Sequence, residues 1–503
     1  MTREPELGFP LSAIPGFYAA EMPDTVVVEA GGRSLTWQEL EEGSNRAARG
    51  LTARGAEPGR IVSILLPNST DLILAVFACY KAGASPQVLS PRMTAHELSA
   101  ILDLGEPAAV IVPEGAGALA GASAVATLAE LSTAWSAEAV EAQTAKSWKA
   151  PVSGGSTGRP KIIMSGREAV TAEADQTFWG VGPRERSLIT APLFHNAPLS
   201  VTLCTVFRGG TVCLLDRFDA EGTLAESDRF AATWIYLVPT MMRRILALPV
   251  DIRESYSLSS VRSFWHCAEP CPAWLKREWI EWLGAERLWE LYAGTEAEAG
   301  CTIRGDEWLN HPGSIGQVTW GRMVLLDDDG NQIQDPGVPG EVYMRPEDGM
   351  PATYRYIGAE PRTHNGWSSL GDVGHFDEDG YLYLHDRRSD MVTVGGVNIY
   401  PAEVEAAMME HPDVLTAVVI GLPDDRAGNR LHAIMNTTGT RIDDEQLLGF
   451  LTSRLSRNKV PRTFETVGEQ LRDDAGKVRR PALRSARLAA VSVGAAGTEG
   501  LAS

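Results

Sequence analysis

The chain has 503 residues, 44% of them hydrophobic and 22% charged, with a formal net charge of −20. That length predicts about two to four domains at roughly 100–200 residues each, and the composition supplies a large buried core. The acidic balance disfavours nucleic acid or an anionic membrane as the main partner, although one local electropositive site still suits an anionic ligand.

In chain order, "SLTWQELEEGSNRAARGLTAR" (34–54) reads as a helix. Thr36 with Glu39 three residues later makes a capping box, and Leu40, Ala47, Ala48 and Leu51 recur at helical spacing. "RIVSILLP" reads as a buried strand, "DLILAVFACYKAGA" as a helix ending near Gly83, and "AAVIVP" as another strand. Short apolar strands alternating with helices predict a parallel sheet wrapped by helices. Residues 114–150, rich in Ala, Ser and Glu, read as a surface stretch. The alternation resumes with "SLITAPLF", "GGTVCLLD" and "ATWIYLVP". From about residue 323 the texture turns antiparallel, with "MVLLDDDGNQI" and "GEVYMRP" as strands. "FDEDGYLYLHDRR" adds a hairpin turning at Asp379-Gly380.

A Gly-Gly turn and a helix starting near Pro401 follow. The expected division is a large domain over 1–388, a small α/β domain over 391–487 and a disordered tail over 488–503, where composition is low in complexity. No apolar run reaches the roughly 18 residues of a membrane span, and the first residues show no secretory signal. Cys79, Cys204, Cys213, Cys267, Cys271 and Cys301 form no CxxC pair. Buried thiols in a reducing cytoplasm are expected rather than a disulfide frame.

The loop "VSGGSTGRPK" (152–161) joins glycines and hydroxyls to one lysine. A Walker-type loop would need Ser or Thr after the lysine, but Ile162 stands there. Gly154 to Gly158 fit GxSxG, which admits a serine hydrolase with Ser156 as nucleophile provided a helix follows. The remaining reading is a loop over a triphosphate. Its glycines admit phosphate oxygens, Ser153, Ser156 and Thr157 donate, and Lys161 supplies a cation.

Downstream lie "YAGTE" (292–296), "LGD" (370–372), "DRRSD" (386–390) and "DAGKVRR" (474–480). With the opening loop, these segments resemble the five motifs of the adenylate-forming superfamily in family order, from about residue 30 to 487. The likeness is to bacterial acyl-CoA synthetases, through "APLFHNAP", "AEPCP" and "NIYPAEVE".

The resemblance implies an α/β fold: a large domain of parallel and mixed sheets wrapped by helices, with a small β-barrel-like part, and a small mobile C-terminal domain. It implies ATP, Mg2+ and CoA acting on a lipophilic carboxylic acid through an acyl-adenylate. In the family pattern Ser153, Ser156, Thr157, Gly158 and Lys161 hold phosphates, and Tyr292, Ala293 and Gly294 lie beside adenine. Thr295 touches the α-phosphate, Glu296 holds the metal, and Asp372 and Arg387 hold ribose. Lys477 bridges the reacting carboxylate and phosphate, as a point cation on a flexible stem does. His195, Trp265 and His266 line the acyl pocket. Ser389 and Asp390 form a hinge, and Gly395, Gly396, Val397 and Asn398 border the CoA thiol's path.

The sequence departs from that pattern at Ala293, Cys267, Glu269, Leu370 and Ser389, and Asp473-Asp474 stand beside Lys477. An acid at 269 opposes an anionic ligand unless it points away. A member that accepts a preformed acyl-adenylate, or one that loads a carrier protein, therefore stays open, as does a homo-oligomer.

Overall fold

The computed structural model describes residues 4–116, 125–154, 160–173, 175, 178–394, 397–424, 427–439, 442–473 and 476–498. Its centre is a nine-stranded sheet. Six strands run parallel, in the spatial order Leu288–Ala293, Ser263–Cys267, Trp234–Leu237, Arg186–Ile189, Thr211–Leu214 and Val26–Ala30. Antiparallel strands Gly300–Arg304 and Gln317–Trp320 close one edge, and Arg33–Thr36 the other. A second, parallel sheet holds Ser85–Val88, Ile61–Ile64, Ala109–Val112 and Val125–Thr127. Runs such as "IVSI", "AVIV" and "WIYL" are buried at every position, which is why they are apolar throughout rather than alternating.

The strand Arg186–Ile189 has Thr211–Leu214 on one side and Trp234–Leu237 on the other, so the chain reverses direction across the sheet there. In an open α/β sheet such a reversal leaves a crevice at the carboxyl ends of the strands. The segments that follow these ends carry His195, Glu269 and Glu296 in loops and Thr240 in the first turn of the helix Pro239–Leu246.

The capping box forms as expected, with Thr36 before the helix Trp37–Thr52, and Leu40, Ala47, Ala48 and Leu51 are buried. Gly50 is required because a Cβ there would lie 2.2 Å from the Leu131 carbonyl oxygen.

The 114–150 stretch is not simply surface. It contains the strand Val125–Thr127 and the helix Leu128–Ser132, and its end is buried at Ala145, Ser147, Trp148, Lys149 and Ala150. The Trp148 ring lies between the Lys149 ammonium and the Arg167 guanidinium, each 4.3 Å from its centroid. Lys149 donates to Asn196 Oδ1 at 2.6 Å and Ser200 Oγ at 2.7 Å, and burial lowers its amine to about 7.

The antiparallel region is a six-stranded sheet including Arg322–Leu326, Gly340–Arg345, Trp367–Phe376 and Leu382–Arg387. No pairing among the described residues closes it into a barrel. The Asp379-Gly380 hairpin forms, with Gly380 at φ +81°. A separate three-stranded sheet joins Val152–Gly154, Pro160–Ser165 and Tyr354–Ile357.

The C-terminal part has its own apolar clusters, one around Val404, Met408 and Leu447 and one around Val418, Ile420 and Ile434. The segment expected to be disordered from 488 is instead helical as far as Thr498, in the helix Arg480–Thr498. Its alanines are the strongest helix formers; 499–503 lie outside the described residues. All six cysteines are free and five are buried. No helix among the described residues is long and apolar enough to cross a membrane.

One buried ion pair joins a helix to the central sheet. Lys276 Nζ, on the helix Ala273–Leu283, lies 2.5 Å from Glu290 Oε2, and the two side chains are 0% and 8% exposed. Glu290→Ala strands that ammonium and is expected to cost about 3–5 kcal/mol, read as a lowered unfolding midpoint in urea.

Candidate active site

Lys161 lies on Pro160–Ser165, directly opposite Ser153 and diagonal to Tyr356 on Tyr354–Ile357. Its ammonium sits 3.7 Å from the centre of the Tyr356 ring. The turn after Leu288–Ala293 brings Glu296 to the same point. Glu296 Oε1 accepts from the Tyr356 hydroxyl at 2.5 Å and from Lys161 Nζ at 3.4 Å, with the carboxylate 8% exposed. Burial and the Glu296 charge keep the Tyr356 phenol protonated. The Ser153 hydroxyl, on the neighbouring strand, is buried and has no hydrogen-bond partner among the described residues.

Two residues on, Glu298 accepts from the Ser368 hydroxyl at 3.1 Å. Burial, reinforced by the Glu296 charge and opposed by Ser368, pushes its carboxyl up to about 7. Glu296 and Glu298 stand two residues apart, and Mg2+ sites are met with one or two carboxylates plus phosphates.

A second group forms where Trp367–Phe376 pairs with Leu382–Arg387. Asp372 stands opposite Arg387 in register, with Oδ1 3.4 Å from Nε. The Tyr292 hydroxyl donates to Asp372 Oδ2 at 2.6 Å. A carboxylate has about four lone-pair sites, so Asp372 retains acceptor capacity facing the cleft. Leu370 fills the space over Gly294, where a Cβ would meet it at 2.5 Å. Ala293 ends its strand paired with Gly300, and Thr295 lies in the turn beyond.

The strand period separates two residues expected on one wall. Neighbours on a strand face opposite ways. Trp265 stacks on Trp289 at 5.1 Å and 4°, with Trp179 and Trp234 beside it. His266 instead lies beside Glu290 and Lys276, and burial lowers its imidazole to about 4. Cys267 shares the Trp265 face, and its Sγ is 3.4 Å from the Tyr236 hydroxyl. His195 caps the helix Asn196–Phe207, its ring against Phe194 at 4.3 Å.

The C-terminal part delivers Lys477 to this region. Asp473 and Lys477 close a tight turn, with the Lys477 amide donating to Asp473 Oδ1 at 2.9 Å. Burial pushes the Cys267 thiol up to about 12, and the Lys477 charge acts against that rise. Arg243 also donates to the Leu415 and Met409 carbonyls across the two parts, and Arg479 pairs with Glu97 at 3.2 Å. At the expected hinge, Asp390 pairs with Arg480 at 2.7 Å, and the Ser389 hydroxyl reaches Asp390.

Lys161, Glu296, Tyr292, Asp372 and Arg387 therefore meet in two adjoining groups. Ser156, Thr157, Gly158, Gly395 and Gly396 lie outside the described residues, as does the Asn398 side chain. Val397 is exposed on its hairpin. Tyr356, Glu298 and Lys149 were not singled out in the sequence. Tyr356 carries only the alternation of "TYRYIG" as a signal, and no local pattern marks the other two. The GxSxG alternative fails on geometry, because a strand and not a helix follows the loop.

Glu298 makes a pH prediction. A carboxyl whose folded pKa is raised contributes stability that is full below about 4.5 and lost as pH rises through about 7. Glu298→Gln is expected to raise the melting temperature by about 2–4 °C at pH 8 and leave it unchanged near pH 4.5, checked by thermal melts across that range.

The chain matches the AMP-binding enzyme family over residues 18–354 and the C-terminal domain of that family over 403–477. It is 33% identical over 482 residues to a feruloyl-CoA synthase of an Amycolatopsis species, covering 92% of this chain and 96% of that one. It is 30% identical to a 2-succinylbenzoate–CoA ligase of Bacillus licheniformis, with 91% and 96% covered. Its structure resembles the o-succinylbenzoate CoA synthetase of Bacillus subtilis in complex with its acyl-adenylate intermediate. The TM-score is 0.80 at 25% identity, covering 94% of this chain and 98% of that one. With both parts of the family matched in order, over 18–354 and 403–477, the chain belongs to the AMP-binding enzyme family.

Proposed function

We propose that the chain is an AMP-forming acyl-CoA ligase that joins a lipophilic aromatic carboxylic acid to CoA. The observation that carries this reading is the pairing of Lys161 with Glu296 and of Asp372 with Arg387, motif residues that lie far apart in the sequence. In the first half-reaction a carboxylate oxygen attacks the α-phosphorus of ATP, and the bond to pyrophosphate breaks. In the second, the CoA thiol gives up its proton, sulfur bonds to the acyl carbon, and the bond to AMP breaks.

Two anions must meet in the first step, so the residues act chiefly by positioning and charge neutralisation. Lys161, Ser153, Ser156, Thr157 and the glycine at 158 receive the β and γ phosphates. Thr295 meets the α-phosphate, and Tyr292, Ala293 and Gly294 border adenine. Asp372 accepts from the two ribose hydroxyls, with Arg387 donating alongside. Glu296 would hold Mg2+, which when bound supplies charge neutralisation on the phosphates. Lys477 lies between the carboxylate and the α-phosphate. The Gly395–Asn398 turn borders CoA once the small domain pivots at Ser389-Asp390. We take the large domain as 1–388 and the small one as 391–487.

An aromatic acid is supported by relatives named for feruloyl and 2-succinylbenzoyl groups. His195 and Trp265 are assigned to the acyl pocket, Trp265 with the aromatic neighbours Trp289 and Trp234. Cytoplasmic residence is supported by six free thiols.

A panel of aromatic acids tests the reading in two formats, as free acids with ATP, Mg2+ and CoA, and as synthetic acyl-adenylates with CoA. The expected result is pyrophosphate exchange and thioester from at least one acid. Silence in both formats across the panel would sink the reading, and turnover of acyl-adenylates alone would assign only the second half-reaction. Lys477→Ala is expected to lower adenylate formation by about 10²–10³-fold while sparing thioester formation from acyl-adenylate. Asp372→Ala is expected to raise the KM for ATP about 10-fold, the loss of hydrogen bonds to a charged group.

A further inference from the structure

Glu269 is an acid at the edge of a site that must gather anions, and none of the roles above uses it. Its side chain is 5% exposed. Ala268 before it holds φ +75°, a left-handed conformation unfavourable for a residue with a Cβ. The carboxylate meets the first turn of the helix Pro239–Leu246. There the Thr240 amide donates to Oε1 at 3.0 Å and the Thr240 hydroxyl to Oε2 at 2.9 Å. A carboxylate at a helix N-terminus is electrostatically favoured.

From the C-terminal side, Arg472 Nη1 lies 3.9 Å from Glu269 Oε2. The same guanidinium donates to the Gly476 carbonyl at 3.1 Å and to Glu405 at 2.9 Å. Gly476 packs so close that a Cβ on it would lie 2.2 Å from Glu269 Oε1. Lys477 is the next residue. Glu405 is shared with Arg480, which also pairs with Asp390. A chain of ions therefore runs from Asp390 through Arg480, Glu405 and Arg472 to Glu269. Burial pushes the Glu269 carboxyl upward, and Arg472 acts first among the groups opposing it.

We propose that Glu269 is a positioning residue for acyl-adenylate formation, seating Arg472 and Gly476 against the large domain so that Lys477 reaches the reacting groups. This rests on the ligase reading above. Glu269 touches no reacting atom and acts through Lys477, so its effect falls on the half-reaction that Lys477 serves.

The test uses full-length Glu269→Gln and an acid that the wild type activates. Glutamine keeps an acceptor for Thr240 but loses the charge facing Arg472. Pyrophosphate exchange is expected to fall about 10-fold in kcat, with the KM for acid and ATP and the rate of thioester formation from acyl-adenylate within about twofold of wild type. Arg472→Gln provides a second variant, expected to show the same split and to add little to Glu269→Gln in the double mutant. Equal losses in both half-reactions, a change confined to KM, or full additivity would overturn the proposal. A wild type silent in both assays would instead remove the ligase reading and this proposal with it.

Discussion

One buried carboxylate holds the site together. Glu296 leaves the turn at the end of the central sheet and binds the Tyr356 hydroxyl and the Lys161 ammonium, which belong to a different, three-stranded sheet. An ionised carboxylate this buried is tolerated only with partners of this kind. The pairing sets the distance between Lys161 and the acidic turn. The Glu298 carboxyl beside it is raised chiefly by burial, with the Glu296 charge adding to the rise.

Much of the fold was legible because its strands are short, apolar and bounded by turn residues, and because Thr36 and Glu39 announce their helix. The candidate site residues were legible as motif members, and among them Lys161 pairs with Glu296 and Asp372 with Arg387. What sequence could not supply was register. Tyr356 meets Lys161 only because Tyr354–Ile357 pairs with Pro160–Ser165 nearly two hundred positions earlier in the chain, and no local period encodes that. Trp265 and His266 are a different kind of miss. The period of two already assigns them to opposite faces, and His266 belongs with Glu290 and Lys276. The Lys149 environment was hidden because its amine is satisfied by Asn196 and Ser200, about fifty residues away.

The departures from the family pattern find physical places. Leu370 packs over Gly294 where a hydroxyl is usual. Glu269 points at Thr240 and Arg472, so its charge is engaged by a helix terminus and a guanidinium. A net charge of −20 is thus compatible with buried or half-buried cations such as Lys161 and Arg387, each held by a carboxylate.

The indoles of Trp265 and Trp289 lie parallel at 5.1 Å, with Trp234 a further stacked neighbour at 6.3 Å. Chromophores this close and this well aligned share their electronic transitions. The molecule therefore carries its own spectroscopic gauge inside the core of the central sheet, in which any change of packing alters near-ultraviolet ellipticity and emission with no label attached.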